Sequence, residues 1–348
     1  MSMKKWLTLF SFSSLPSLLG VSLSFGLIPV TPAMAADSTE LVVYSARKEH
    51  LMKPLLDQFS AQTGIQVTLY TGKDGALIER VKSEGSQTPA DVLMMADAGN
   101  LGYAAEQGLF ESINSPLIEQ AIPAHLRDPQ MRWTALSIRA RTIVYSTERV
   151  KPEQLSSYAQ LGDANWKGRL CLRSGNHVYN KSLVASMIAH EGEAQAKQTV
   201  ENWVNNLAAK PFAKDSEVMK AILSNRCDVG IVNSYYFGQE ITKNPQAKMA
   251  LFWANQASTG THINVSGAGI VKASKNKQKA LKLLEWLSQD QAQTLYAEKN
   301  YEHPANPNNQ PSEALSRWGA FKADQLNLAK VAELQQNAVL LMQKAKYQ

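Results

Sequence analysis

LVVYSARKEHLMKPLLDQFSAQTG, residues 41–64, contains the repeating unit from which the fold can be read. Leu41-Val42-Val43-Tyr44 is a short apolar run suited to a buried strand. Ser45-Ala46-Arg47 turns the chain. Over residues 48–62, Leu51, Met52, Leu55, Leu56 and Phe59 recur at the three-and-four spacing that lines one helix face. Gly64 stops that helix, because glycine takes a left-handed backbone at little cost. Outward from this unit come a strand over 65–70, a Gly-Lys-Asp-Gly loop, a helix over 76–84 and a strand over 90–95. Strands alternating with helices at this rate imply βαβ units and a mostly parallel sheet.

The alternation resumes downstream. Strands are expected over 139–145, 169–172, 229–232 and 263–272, helices over 181–190, 195–206 and 277–288, and a helical tail over 311–346. No internal repeat or long linker interrupts it, so the backbone is expected to cross between two lobes more than once. Residues 133–146 and 262–274 are the extended runs placed to do so. The expected fold is therefore α/β and two-lobed, with a ligand cleft between the lobes and two extended hinge crossings. The N-terminal lobe is expected to hold 36–136 and about 267–310, and the C-terminal lobe 137–266 and about 311–348.

Residues 1–35 read differently from the rest. Lys4 and Lys5 precede a Leu-, Phe-, Ser- and Val-rich stretch that closes on Ala33-Met34-Ala35, the pattern of a secretory signal cleaved after Ala35. The remainder, 348 residues less 35, is long for one core and comfortable for two. It carries 34 Lys and Arg against 30 Asp and Glu once Lys4 and Lys5 are set aside. That small surplus is spread out, with no basic run of the kind nucleic-acid binding needs. In an exported chain, Cys171 and Cys227 invite a disulfide, two buried thiols being the alternative.

The strongest chemical signal is Asn233-Ser234-Tyr235-Tyr236, at the end of a buried strand and ahead of a helix expected over 237–241. Ligands of α/β proteins bind at such strand ends. Tyr179 stands in a second polar loop, Arg173–Ser182, that opens another helix. A phenol has a pKa of about 10, so only a hard, highly charged cation makes it a ligand at neutral pH. Ferric iron is such a cation, whereas zinc and copper favour imidazole and thiolate. Read alone, paired tyrosines after a strand are more often ordinary packing, their hydroxyls bonded to backbone or water. No nucleophile–base constellation, metalloprotease motif, phosphate loop or dinucleotide signature appears, so no enzyme activity is expected.

Several segments together resemble the periplasmic ferric-iron-binding proteins of bacterial iron importers. They are Leu41–Arg47, Lys82-Ser83-Glu84-Gly85 leading to Pro89-Ala90-Asp91-Val92-Leu93, Trp166-Lys167-Gly168-Arg169, Tyr179–Ser186, Asn233–Tyr236 and Gly260–Gly267. The resemblance implies the type II periplasmic binding fold, closing on Fe³⁺ with Tyr179, Tyr235 and Tyr236 as ligands. Some members add a His or a His-Tyr pair just after the first strand. Here that stretch reads Arg47-Lys48-Glu49-His50, which leaves Glu49 or His50 as N-lobe candidates. A synergistic anion such as carbonate is implied as well, with Arg141 or the Ser174-Gly175-Asn176 turn to hold it. A monomer working with an inner-membrane ABC permease, without nucleic acid, is the expected setting. The other reading keeps the fold and exchanges iron for an organic ligand such as a phosphonate, thiamine or a polyamine.

Overall fold

β1 (Glu40–Ser45) buries Leu41, Val43 and Tyr44, and the helix that follows it, Glu49–Thr63, buries Met52, Leu55, Leu56 and Phe59. Gly64 sits at φ 74° and its N–H reaches back to the Ser60 carbonyl, the left-handed stop read from the sequence. β2 (Gln66–Thr71) and β3 (Val92–Met95) pair parallel with β1 on its two sides. This computed structural model describes residues 40–348. The signal expected at 1–35 lies outside the described residues.

The rest of the sheet is organised by one strand. β4 (Thr134–Ser146) is buried along nearly its whole length. It is followed by β5 (Leu170–Cys171), β6 (Val229–Asn233), β7 (Met249–Phe252), β8 (Ile263–Ile270) and β9 (His303–Pro304). The order is β2-β1-β3-β8-β4-β6-β5, with β7 and β9 also on β4. From Thr134 to Ala140, β4 pairs antiparallel with β8; from Arg141 to Tyr145 it pairs antiparallel with β6. It therefore belongs to two strand groups and changes partner between Ala140 and Arg141. The two runs read as crossings supply β4 and β8.

The tail departs from the expectation of continuous helix. It forms Glu313–Ser316, Leu328–Glu333 and Gln335–Lys344, with an irregular stretch after the first. Gly319 takes φ 79°, Phe321 stacks on Trp253 at 4.2 Å, and Ala323 bridges to Thr261. These tertiary contacts outweigh helical propensity there. Beyond them, Leu328–Glu333 packs on helix Ala98–Glu106, and Gln335–Lys344 packs on helix Val178–Glu191. The C-terminus thus rests on elements beside both strand groups.

Cys171 and Cys227 form the expected disulfide, closing 56 residues of chain between the end of β5 and the turn before β6. In the chain-entropy model a loop of that length is worth about 4 kcal/mol. Replacing both cysteines with Ala is expected to lower the unfolding free energy by roughly that amount in denaturant titration. An unchanged midpoint would contradict it.

Candidate metal centre

Two helices begin where the chain leaves the sheet, and each carries tyrosine in its first turn. Helix Ser234–Lys243 starts at once after β6, so Tyr235 and Tyr236 lie inside it, not before it. Helix Val178–Glu191 likewise starts three residues earlier than its apolar pattern indicates. His177 caps it, its Nδ1 accepting from the Tyr179 N–H at 3.3 Å. Asn180 then locks the turn: its Nδ2 donates to the Arg173 and Ser174 carbonyls at 2.9 and 3.0 Å.

The Tyr179 and Tyr235 hydroxyls lie 3.1 Å apart. The Tyr235 and Tyr236 rings are 4.2 Å apart, centre to centre. All three line one cavity of about 170 Å³, together with Arg47, Lys48, His50, Asn300 and Glu302. Residues 56 positions apart therefore meet at the point where the sequence placed a site. Burial pushes the Tyr179 phenol up from its ordinary value, with Arg139 opposing. Burial pushes Tyr235 up further, reinforced by the neighbouring Tyr179 and Tyr236. Both phenols keep their protons at neutral pH until a cation displaces them. Among the described residues, no group of three or more His, Cys, Asp or Glu is placed to hold a metal. The three phenols share this cavity with the side chains of His50 and Glu302.

The other sequence candidates are placed as follows. Glu49 lies exposed in the first turn of its helix and is not among the cavity-lining residues, whereas His50 is. Arg141 is buried and engaged: Nη1 donates to Asp215 Oδ2 at 2.7 Å and Nη2 to Asn180 Oδ1 at 2.7 Å. Expected as an anion holder, Arg141 is paired with a carboxylate in this structure. Ser174, Gly175 and Asn176 precede the Tyr179 helix and do not line the cavity. The Ser174 N–H is taken by the Phe212 carbonyl at 2.7 Å, and Gly175 lies tight against the Tyr347 backbone.

Sequence reading missed the electrostatic frame. The guanidinium carbons of Arg139, Arg141 and Arg173 lie 5.7, 5.8 and 5.2 Å from the Tyr179 ring centre. Strand alternation could have found part of this, since Arg139 and Arg141 must share one face of β4. Asp215 could not be found that way. It lies in a helix, Asp215–Leu223, at a sequence distance of 74 from Arg141.

Two strand groups joined through a shared long strand, with a tyrosine-lined cavity at strand ends and helix starts, define a two-lobed type II solute-binding protein. The chain belongs to the bacterial extracellular solute-binding protein family, whose model matches residues 87–323, and within it to the periplasmic ferric-iron-binding proteins. It is 37% identical to iron uptake protein A1 of Synechocystis over 89% of this chain and 88% of that one. A Trichodesmium protein solved in complex with iron and citrate superposes with a TM-score of 0.86 at 37% identity, over 89% and 100% of the two chains. The ferric iron-binding protein A of Mannheimia haemolytica, solved in an open conformation, gives 0.84 at 38% identity, over 88% and 98%. At the level of this family, the relatives are transport proteins that bind a solute, not enzymes.

Proposed function

We propose that the protein captures ferric iron in the periplasm through the phenolates of Tyr179, Tyr235 and Tyr236 and delivers it to an inner-membrane ABC permease. The observation that carries this reading is the meeting of three phenols in one cavity, with two hydroxyls 3.1 Å apart. Two neutral phenols gain little from such crowding. A trivalent cation gains a compact set of hard anionic oxygens whose charges balance its own. The relatives named for iron uptake and ferric iron binding support the choice of cargo.

Iron would lie between residues of both strand groups: the tyrosines from beyond β6 and β5, and the segment after β1 with residues 300–302 opposite. A ligand contacted by both walls only when they approach favours the closed form by its differential affinity. The closed form is the one that would dock on the permease.

The test is a visible spectrum. Ferric iron added to the purified chain is expected to give a tyrosinate-to-iron charge-transfer band that saturates at one iron per chain. A colourless complex would remove the tyrosines from the site and leave an organic ligand as the better reading of the same cavity.

A further inference from the structure

A second cavity, of about 490 Å³, shares no lining residue with the tyrosine cavity. Its size falls within the roughly 300–1,000 Å³ of small-molecule sites. Helices Glu49–Thr63, Pro116–Ala121, Lys277–Leu287 and Asp290–Asn300 contribute to it, together with the loop after β9. Six lining residues carry primary amides: Gln62, Gln120, Gln289, Gln291, Asn306 and Asn308. The aromatic one is Trp286. This composition narrows what can bind. Asp290 is the single charged residue of the lining, so nothing there would neutralise a phosphate or a carboxylate. Leu117 and Ala121 are its only aliphatic residues, too few to hold an acyl chain. A primary amide donates two hydrogen bonds and accepts two, which suits a hydroxyl, itself both donor and acceptor.

The lining is also fixed in place. Trp286 is half-buried, and Phe59 meets its ring edge-on at 5.8 Å and 66°. Its indole N–H donates to Gln62 Oε1 at 2.7 Å, and Gln62 Nε2 donates in turn to Gln291 Oε1 at 2.7 Å. Asn306 is buried, its Oδ1 accepting from the Asn308 N–H at 3.0 Å and its Nδ2 donating to the Ser288 carbonyl at 3.3 Å. These amides hold the walls. Among the described residues, none hydrogen-bonds the side chains of Gln120, Gln289 or Asn308, which leaves three amides for a ligand. The face of an indole is electron-rich and suits the weakly positive C–H groups of a pyranose ring. We infer that this cavity binds a neutral saccharide, with a pyranose ring against Trp286 and its hydroxyls on the amides of Gln120, Gln289 and Asn308. A free sugar and the glycan of a cell wall present the same ring and hydroxyls. The inference is independent of the iron reading.

The test titrates the full mature chain with N,N′-diacetylchitobiose and with maltose, followed by saturation-transfer difference NMR, and sediments it with purified peptidoglycan. The wild type is expected to bind at least one probe saturably, with a dissociation constant of about 1 mM or below, the strength left to a few hydrogen bonds and one stacked ring after the cost of association. Binding of a disaccharide would mark a free sugar as the ligand, and sedimentation alone the polymer; either supports the site when the variants weaken it. Gln120→Ala combined with Gln289→Ala removes two exposed amides that hold nothing in the fold, and should weaken binding about tenfold, as two hydrogen bonds require. Trp286→Leu should weaken it further, with its melting temperature reporting separately on the packing against Phe59. None of these substitutions changes the charge, so mere adsorption of this basic chain to an acidic polymer would persist in them. The ferric band should be the same in every variant. No saturable binding to any of the three probes, or undiminished binding in both variants, would overturn the saccharide site and leave the tyrosine site untouched.

Discussion

Tyr236→Phe is expected to bleach the ferric complex or weaken it by more than about a hundredfold, a loss already reached when only an outer partner of a metal ligand is removed. The substitution deletes one oxygen and keeps the ring that packs on Tyr235 at 4.2 Å, so the fold should be retained. Two charged ligands would remain where a trivalent ion had three, and the extinction per bound iron should fall with the number of phenolates. Tyr235→Phe should do the same and also break the 3.1 Å contact with Tyr179. Tyr70→Phe serves as control, since Tyr70 is exposed and stands away from the cavity. Undiminished colour and affinity in Tyr236→Phe would take that residue out of the site.

The second large effect is on pH. In the iron-free protein, burial holds the phenols of Tyr179 and Tyr235 above their ordinary value, so each carries its proton across the neutral range. On the proposed tyrosinate site, iron would have to displace those protons, which would make them products of binding. Affinity therefore rises with pH and falls as pH drops, by about tenfold per unit for each proton released and up to about a thousandfold for three. Competition against a chelator of known affinity from about pH 8 to about pH 6 should give a steep slope of this sign. A flat profile would mean that the ligands are already ionised or are not phenols.

Much of this was legible in the sequence, for reasons specific to each element. The first strand–helix unit was readable because its apolar spacing and Gly64 satisfy local rules without help from elsewhere. Tyr235 and Tyr236 were singled out because an apolar strand followed by polar, aromatic residues marks a strand end, and Tyr179 because it opens a helix from a polar loop; only the family resemblance joined the three into a proposed ligand set. The starts of their helices were not, since Asn180, Ser182 and Ser186 are buried polar residues that break the apolar rhythm of helix Val178–Glu191. Each is satisfied by a distant partner: Asn180 by Arg141 and Tyr347, Ser182 by Asn264, Ser186 by Asp324. Such pairings exist only once the chain is folded. The N-lobe candidates Glu49 and His50 differ by a single helical step of about 100°; both are exposed, and that step leaves only His50 lining the cavity.

The most direct measurement is an anomalous difference map from crystals of the iron-loaded protein, collected at the iron edge. The expected result is one strong peak within bonding distance of the Tyr179, Tyr235 and Tyr236 hydroxyl oxygens at once. A peak elsewhere, or one bonded to none of the three, would contradict the tyrosinate site while leaving the two-lobed scaffold as described.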